Sequence, residues 1–145
     1  MSPFWSTKKE DYIVVIGCGR LGANIANSLS DEGIDVLVVD IDKESFRKLS
    51  SSYSGLTLAG DAMDLDVLAE AEIERATAVI TVTNYDNTNI LVAQIAKNLY
   101  GINHVIARLY DTDRDCVYQE FNIDTIAPAV LSMQQIDRLL NTQKA

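Results

Sequence analysis

Residues 17–22, Gly17-Cys18-Gly19-Arg20-Leu21-Gly22, decide the fold of this chain, because they join an apolar run to an amphipathic one. The run before them, Tyr12-Ile13-Val14-Val15-Ile16, predicts a strand that is buried on both faces. After them, apolar side chains recur at Leu21, Ile25 and Leu29, which is the spacing of one helix face. A glycine-rich loop between a strand and a helix is the sequence pattern that binds the diphosphate of a dinucleotide.

Each glycine of this loop has a separate physical task. Gly17 permits the tight turn that leaves the strand, and Gly19 lets the backbone approach a phosphate without a Cβ clash. Gly22 lets the helix pack closely against the strand, so that the free N–H groups of its first turn face the phosphates. Arg20 is the only cation in the loop. We expect Arg20 to reach a terminal phosphate, to reach a neighbouring subunit's ligand, or to stay solvated.

An acidic residue ends the second predicted strand. Asp40 lies 21 residues after Gly19, at the distance where an acid is expected to bind ribose hydroxyl groups. The same negative charge would repel a ribose 2′-phosphate, so we expect NADP to bind poorly. Asp42 is the weaker candidate, because capping of the next helix explains it.

The chain alternates strands with helices along its whole length. We predict further strands at 36–40, 56–59, 78–83, 104–109 and 125–127, and helices at 43–51, 64–71, 87–100, 112–121 and 129–141. This alternation indicates an α/β fold with helices on both faces of a parallel sheet. We therefore predict a Rossmann-like, doubly wound, six-stranded sheet in the order 3-2-1-4-5-6, with ligands bound at the edge formed by the carboxyl ends of the strands.

The sequence predicts three segments. Residues 1–10 form an N-terminal arm, residues 11–128 a nucleotide-binding domain, and residues 129–145 a C-terminal helix. Val130, Met133, Ile136, Asp137 and Leu140 fall near one face of that helix, and Leu131 and Leu139 widen the apolar stripe. We expect nothing in the chain to cover this face, and an exposed apolar patch of this kind indicates a subunit contact.

Two more strand ends are expected at the ligand edge. Gly60-Asp61-Ala62 follows the third strand, where its backbone either reads the adenine edge or only turns the chain. Thr83, Asn84 and Asp86 follow the fourth strand and are expected to line the far half of the site. The predicted nucleotide site consists of Gly17, Cys18, Gly19, Arg20, Leu21, Gly22, Asp40, Ile41, Asp61, Ala62, Thr83 and Asn84.

Three further polar residues lie near the fourth and fifth strands. Asn89 either holds the loop before its helix by hydrogen bonds or is simply exposed. Arg108 either approaches the cleft or a subunit contact, or is solvated. His104 has no carboxylate or cysteine partner nearby in sequence, and we treat it as structural.

The composition excludes several classes of function. The 145 residues carry a formal net charge of −9, which repels nucleic acid and anionic lipid. No apolar run approaches the ~18 residues of a membrane span, so we expect no direct membrane insertion. Cys18 and Cys116 lack a metal-binding spacing, and no acid–base pair with a substrate pocket can be assembled. We therefore predict no metal site and no enzymatic activity.

The motifs of this chain, taken in order, resemble the RCK/KTN family, also called the TrkA N-terminal domain. The resemblance covers about residues 11–140 and is carried by the glycine loop and by Val38-Val39-Asp40-Ile41-Asp42, Gly60-Asp61-Ala62, Thr83-Asn84-Tyr85-Asp86-Asn87-Thr88-Asn89, Ile106-Ala107-Arg108 and Ile126-Ala127-Pro128. It implies a cytoplasmic regulatory subunit, peripheral at the inner face of the membrane, that binds NAD(H), ATP, ADP or AMP without chemistry. It also implies a homodimer or a higher ring that controls a membrane potassium-translocating subunit, with a terminal helix that crosses to the partner. In relatives with this loop, the arginine at the position of Arg20 resembles a sensor of a neighbour's terminal phosphate.

Two other functions stay open on the residues alone. One is a small NAD-dependent oxidoreductase or a fragment of one, and the other is a nucleotide-binding scaffold unrelated to ion transport. The sequence does not choose between NAD(H) and ATP or ADP, because the loop and Asp40 read the adenosine diphosphate half that these ligands share.

Overall fold

A computed structural model of the chain describes residues 10–144. The N-terminal arm predicted over 1–10 lies outside the described residues apart from Glu10, as does Ala145 at the end of the predicted C-terminal segment.

Six parallel strands form one sheet. They are β1 (Tyr12–Ile16), β2 (Asp35–Asp40), β3 (Leu56–Ala59), β4 (Ala78–Thr81), β5 (His104–Arg108) and β6 (Asp124–Ile126), in the spatial order β3-β2-β1-β4-β5-β6. Val14 of the central strand β1 lies opposite Leu37 of β2 on one side and Val79 of β4 on the other. The predicted fold class and strand order are confirmed, and the carboxyl ends of β1 and β4 meet at the point where the order reverses.

Five α-helices connect and follow the strands. They are α1 (Arg20–Asp31), α2 (Leu65–Glu70), α3 (Asp86–Gln94), α4 (Asp115–Glu120) and α5 (Pro128–Lys144), and α3 continues as a π-helical turn over Ile95–Leu99. The sheet is buried on both faces. Leu29 of α1 packs on one face, and Leu68 of α2 with Val92 of α3 packs on the other.

The α-helix predicted over 43–51 is wrong in type and length. The chain forms a 3₁₀ helix over Lys43–Lys48 instead. Asp42 caps it by accepting a hydrogen bond from the Glu44 amide at 3.0 Å. The helix ends because Leu49 is extended and the Ser50 amide donates to the Asn27 side chain of α1, at 3.0 Å, rather than to a preceding turn.

Other predicted boundaries shift for similar local reasons. β4 ends at Thr81 rather than at residue 83, since the Thr83 amide donates to the Asn89 side chain at 2.8 Å. The helix predicted over 87–100 becomes π-helical in its last turn, where the Tyr100 amide donates to the Ile95 carbonyl at 3.2 Å. The helix predicted over 112–121 divides into a 3₁₀ turn, Thr112–Arg114, and α4.

The last helix, α5, begins at Pro128, a residue whose missing N–H costs nothing in a first helical turn. Its residues are exposed from position 129 to 142. The exposed apolar side chains along it are Val130, Leu131, Met133, Ile136, Leu139 and Leu140. No helix within residues 10–144 is both long enough and apolar enough to cross a membrane.

Candidate functional site

The glycine loop makes its turn through an unusually close approach of main chain to main chain. Gly17 has φ +105°, and its amide donates to the Val39 carbonyl of β2 at 2.8 Å. A Cβ on Gly22 would lie 1.9 Å from the Gly17 carbonyl oxygen, so no other residue fits there without moving the helix. The two glycines thus set the angle at which α1 leaves the sheet, as the sequence predicts.

The first turn of α1 opens towards the carboxyl edge of the sheet. Gly19 is its N-cap residue, no side-chain hydrogen bond caps the helix, and the first bond of the helix runs from the Ala23 amide to the Gly19 carbonyl at 2.9 Å. A Cβ on Gly19 would meet no protein atom within 4 Å. The main chain at Gly19 therefore faces open space, where free amides and the positive end of the helix dipole favour an anion.

That open space is a cavity of about 610 Å³, a size typical of small-molecule sites. The structure brings most of the predicted site residues together around it: Gly17, Gly19, Arg20, Asp40, Ile41, Asp61, Ala62, Thr83 and Asn84. They come from the ends of four strands, β1 to β4. This is the arrangement that parallel strands with carboxyl ends at one edge are expected to produce.

The three other predicted residues lie behind the cavity wall. The Cys18 side chain is buried under the loop, and its thiol donates to the Ser45 carbonyl oxygen at 3.4 Å. Burial raises the pKa of the Cys18 thiol, and the nearby Asp40 carboxylate raises it further, while Lys48 lowers it. Leu21 packs against the core cluster that α1 covers, and Gly22 contacts Gly17. These three residues support the loop rather than line the cavity.

Asp40 is half-buried at the end of β2, with both carboxylate oxygens bonded to main-chain amides. Oδ2 accepts from the Cys18 amide at 2.7 Å, and Oδ1 accepts from the Asp42 amide at 2.8 Å. The turn after β3 is organised in a similar way, since Asp61 Oδ1 accepts from the Met63 amide at 2.9 Å. Asp61 therefore turns the chain after β3, and it also lines the cavity.

The sequence analysis missed one wall of the cavity. Ser45 and Lys48 line it from the 3₁₀ helix after β2. A 3₁₀ helix has three residues per turn, so side chains at positions 42, 45 and 48 lie on the same face. The α-helix predicted there would have spread them over a wider arc, and only the spacing of three from Asp42 could have indicated this wall. Met63, Tyr85 and Thr88 line the mouth of the cavity and were missed too.

Asn89 fixes the segment after β4, which lines the cavity with Thr83 and Asn84. Its side chain is fully buried, and Oδ1 accepts from the Thr83 amide at 2.8 Å and from the Thr83 hydroxyl at 2.7 Å. Nδ2 donates to the carbonyl oxygens of Thr83 and Arg108, at 3.0 Å each. The interpretation that Asn89 holds this loop by hydrogen bonds is confirmed, and the interpretation that Asn89 is simply exposed is wrong.

Arg108 has a structural position rather than one in the cavity wall. Its Nη2 donates to the carbonyl oxygens of Val82 and Thr83, at 2.9 and 2.7 Å. The guanidinium thus bonds the segment that follows β4 to the end of β5. His104 is exposed at the start of β5, away from the ligand edge.

A second cavity of about 490 Å³ adjoins the first and shares Asn84 and Tyr85 with it. Its floor is fixed by Asp86, whose two carboxylate oxygens accept from the Tyr110 and Asp111 amides at 2.8 Å each. Tyr85 and Tyr110, both exposed, stand at its sides. Within the described part of the chain, no cluster of histidine, cysteine or acidic side chains is arranged to hold a metal ion.

Comparison with known proteins identifies the domain type. The family model of the TrkA-N domain matches residues 13–128. The Trk system potassium uptake protein TrkA of Streptomyces coelicolor is 42% identical over 129 residues, which are 89% of this chain and 58% of that protein. The chain therefore spans less than two thirds of this relative.

Solved structures share the fold. The GsuK channel bound to NAD superposes with a TM-score of 0.80 at 22% identity, over 97% of this chain and 25% of that chain. GsuK bound to ADP superposes with a TM-score of 0.77 at 24% identity, over 93% of this chain and 35% of that one.

The hydrogen bonds of Asn89 predict a large effect of its removal. We expect Asn89→Ala to lower the free energy of unfolding by about 2–3 kcal/mol, because it removes the side-chain partner of the Thr83 amide and of the Arg108 carbonyl and leaves a cavity in the fully buried position of Asn89. Asn87→Ala, at an exposed position of the same helix, is the control and should change it by less than about 0.5 kcal/mol. Urea unfolding followed by circular dichroism measures both, and equal effects of the two substitutions would contradict the assignment.

Proposed function

This chain belongs to the TrkA-N domain family, and from that premise we propose that it is a nucleotide-sensing regulatory subunit of a potassium uptake system. The observation that carries the proposal is the cavity in front of the uncapped first turn of α1, which joins the glycine loop to the ends of β2, β3 and β4. The relative from Streptomyces coelicolor is named a Trk system potassium uptake protein, which supports the transport context.

We propose an adenine nucleotide, NAD(H), ATP, ADP or AMP, as the ligand. The free amides of the loop suit phosphates, and Asp40 and Ile41 line the cavity at the end of β2, the strand end that supplies the ribose-binding acid in Rossmann-type domains. Likeness to GsuK structures bound to NAD and to ADP is consistent with this class of ligand. The carboxylate of Asp40 disfavours a ribose 2′-phosphate, so we propose that NADP is excluded.

The ligand is proposed to act as a signal and not as a substrate. The described residues that line the cavity include no histidine and no free thiol, and their acids are Asp40, Asp42 and Asp61. Asp40 and Asp61 are already bonded to main-chain amides. An oxidoreductase would need an acid or base beside the reacting carbon of its substrate, so it is the alternative that these residues favour less.

Calorimetry tests nucleotide binding. We expect the chain to bind at least one of AMP, ADP, ATP, NAD and NADH, and to bind NAD more tightly than NADP. Gly19→Val places a branched side chain where the main chain meets a phosphate, and it should weaken binding by about tenfold or more. The melting temperature should fall only slightly, because a Cβ on Gly19 meets no protein atom within 4 Å and the loss is that of a favourable N-cap residue.

Two results would count against this part of the proposal. Binding of none of these nucleotides at millimolar concentration would remove the nucleotide site. Hydride transfer to or from NAD with any of a panel of alcohols and hydroxy acids would favour the oxidoreductase.

We also propose that α5 mediates assembly into a homodimer or a higher ring. Its apolar side chains are exposed along the helix, and a contiguous apolar patch of this kind favours a contact with another subunit. A second copy of the chain offers the same surface, which suits a symmetric contact.

A charge on the apolar face of α5 should disrupt that contact. We expect sedimentation to show a dimer or larger species for the unsubstituted chain and a monomer for Ile136→Asp, since the contact would bury an unpaired carboxylate. Gln135→Asp adds the same charge at a neighbouring polar position and should keep the assembly. A monomer at all concentrations without any substitution would contradict the proposal.

The partner of the assembly is proposed to be a membrane subunit that translocates potassium. This places the chain in the cytoplasm, peripheral at the inner face of the membrane, without nucleic acid as a partner. The net charge of −9 suits a protein partner better than direct contact with anionic lipid.

Co-purification tests the partner. We expect this chain to be retained by a membrane potassium subunit from the same organism, to a degree that changes when nucleotide is added. Retention should fall for Ile136→Asp if assembly is required for binding. Nucleotide binding without any retention would instead indicate a scaffold unrelated to ion transport.

A further inference from the structure

Three walls of the cavity are bonded to one residue, Asp40. Its Oδ2 atom accepts from the Cys18 amide of the glycine loop at 2.7 Å, and its Oδ1 atom accepts from the Asp42 amide at 2.8 Å. Its main-chain carbonyl oxygen accepts from the Gly60 amide at 3.0 Å. The loop after β1, the segment after β2 and the turn after β3 are therefore all fixed to the end of β2.

We propose that Asp40 is a positioning residue for the phosphate-binding loop, in addition to its contact with a ribose. Its bond to Cys18 joins positions 22 residues apart in the sequence and holds the peptide group between Gly17 and Cys18. That peptide leads directly to Gly19 and the first turn of α1, so its orientation sets where the free amides face. A charged acceptor holds such an amide more firmly than a neutral one.

The Cys18 side chain supports the same geometry. It is buried in the core cluster beneath the loop, and its thiol contacts the Ser45 carbonyl oxygen at 3.4 Å. Residue 18 is therefore held through its main chain by Asp40 and through its side chain by the core and the 3₁₀ helix. Loss of the Asp40 carboxylate would free the main-chain half of this attachment.

This inference rests on the proposed nucleotide site, in which Asp40 would couple the ribose-binding part to the phosphate-binding part. A carboxylate has about four acceptor positions, so two remain for ribose hydroxyl groups after the bonds to Cys18 and Asp42. The Asp40 carboxylate then binds the ribose directly and affects phosphate binding through the loop that it holds. The ligand class that gains from this coupling is one that carries both groups, which is a nucleotide or a dinucleotide.

A ligand without ribose separates the two roles of Asp40. If Asp40 acted on ribose alone, its removal would leave inorganic pyrophosphate binding unchanged or would strengthen it, because a negative charge near the anion is lost. If Asp40 positions the loop, its removal weakens pyrophosphate binding despite that loss of charge. The two roles therefore predict different results: unchanged or tighter pyrophosphate binding if Asp40 acts on ribose alone, and weaker binding if it positions the loop.

The experiment compares Asp40→Ala and Asp40→Asn with the unsubstituted chain. The matched control is Asp42→Asn, which removes an equal charge from the lining of the same cavity but has no hydrogen bond to the glycine loop. Calorimetry measures the affinity for ADP and for inorganic pyrophosphate. Nuclear magnetic resonance measures the hydrogen-exchange rate of the Cys18 amide in the nucleotide-free protein.

We expect Asp40→Ala to speed exchange of the Cys18 amide and to weaken pyrophosphate binding, each by about tenfold, as for loss of one charge-assisted hydrogen bond. ADP binding should weaken by more than pyrophosphate binding, because the ribose contacts are lost as well. Asp40→Asn keeps one acceptor oxygen but sets an amide donor against a main-chain donor, so a similar change is expected. Asp42→Asn should leave Cys18 exchange unchanged within about twofold, and pyrophosphate binding equal or tighter.

Each remaining outcome has a definite meaning. Weaker ADP binding with unchanged Cys18 exchange and unweakened pyrophosphate binding in both Asp40 variants would overturn the inference and leave a ribose contact only. If the unsubstituted chain bound no nucleotide, the proposed function would fail, while Cys18 exchange would still show whether Asp40 holds the loop. If pyrophosphate bound too weakly to measure, or if Asp40→Ala did not fold, Cys18 exchange in Asp40→Asn would decide.

Discussion

The close approach of Gly22 to the Gly17 carbonyl is the constraint on which the rest of the ligand edge depends. A Cβ at position 22 would lie 1.9 Å from that oxygen, so the packing of α1 against the loop requires a residue without a side chain. This packing aims the first turn of α1 across the ends of the strands. The amides of that turn then face the cavity instead of a neighbouring element, which makes the edge suitable for an anion.

A cavity at the edge of a sheet leaves main-chain groups without strand partners, and three side chains resolve this problem. Asp40 bonds the amides that follow β1 and β2, Asn89 bonds the chain after β4 to the end of β5, and Asp86 bonds the amides that follow β5. Buried polar main-chain groups are costly when they are left unpaired. The cavity walls are therefore held in place by side chains before any ligand arrives.

The sequence predicted the features that depend on local pattern. Strand runs, the glycine loop and the acid at position 40 sufficed for the sheet order and for nine of the nineteen residues that line the cavity. It did not predict the 3₁₀ helix with Ser45 and Lys48, because Asp42 capping suits either kind of helix and the choice depends on Asn27 of a different element. Nor did it choose between the two roles of Asn89, since the four bonds of that side chain depend on how β4 and β5 lie together.

The charges of the cavity resolve an apparent conflict between an acidic protein and an anionic ligand. The chain carries a net charge of −9, and its exposed Arg47 and Arg75 are paired with Glu44 and Glu72. The side chains of Arg20 and Lys48, which line the cavity, form no ion pair or hydrogen bond with the residues that the structure describes. Coulomb interactions act most strongly over short distances. Arg20 and the free amides in the first turn of α1 therefore favour phosphates beside the glycine loop, while Asp40, Asp42 and Asp61 in the same lining and the acidic remainder of the surface repel larger polyanions.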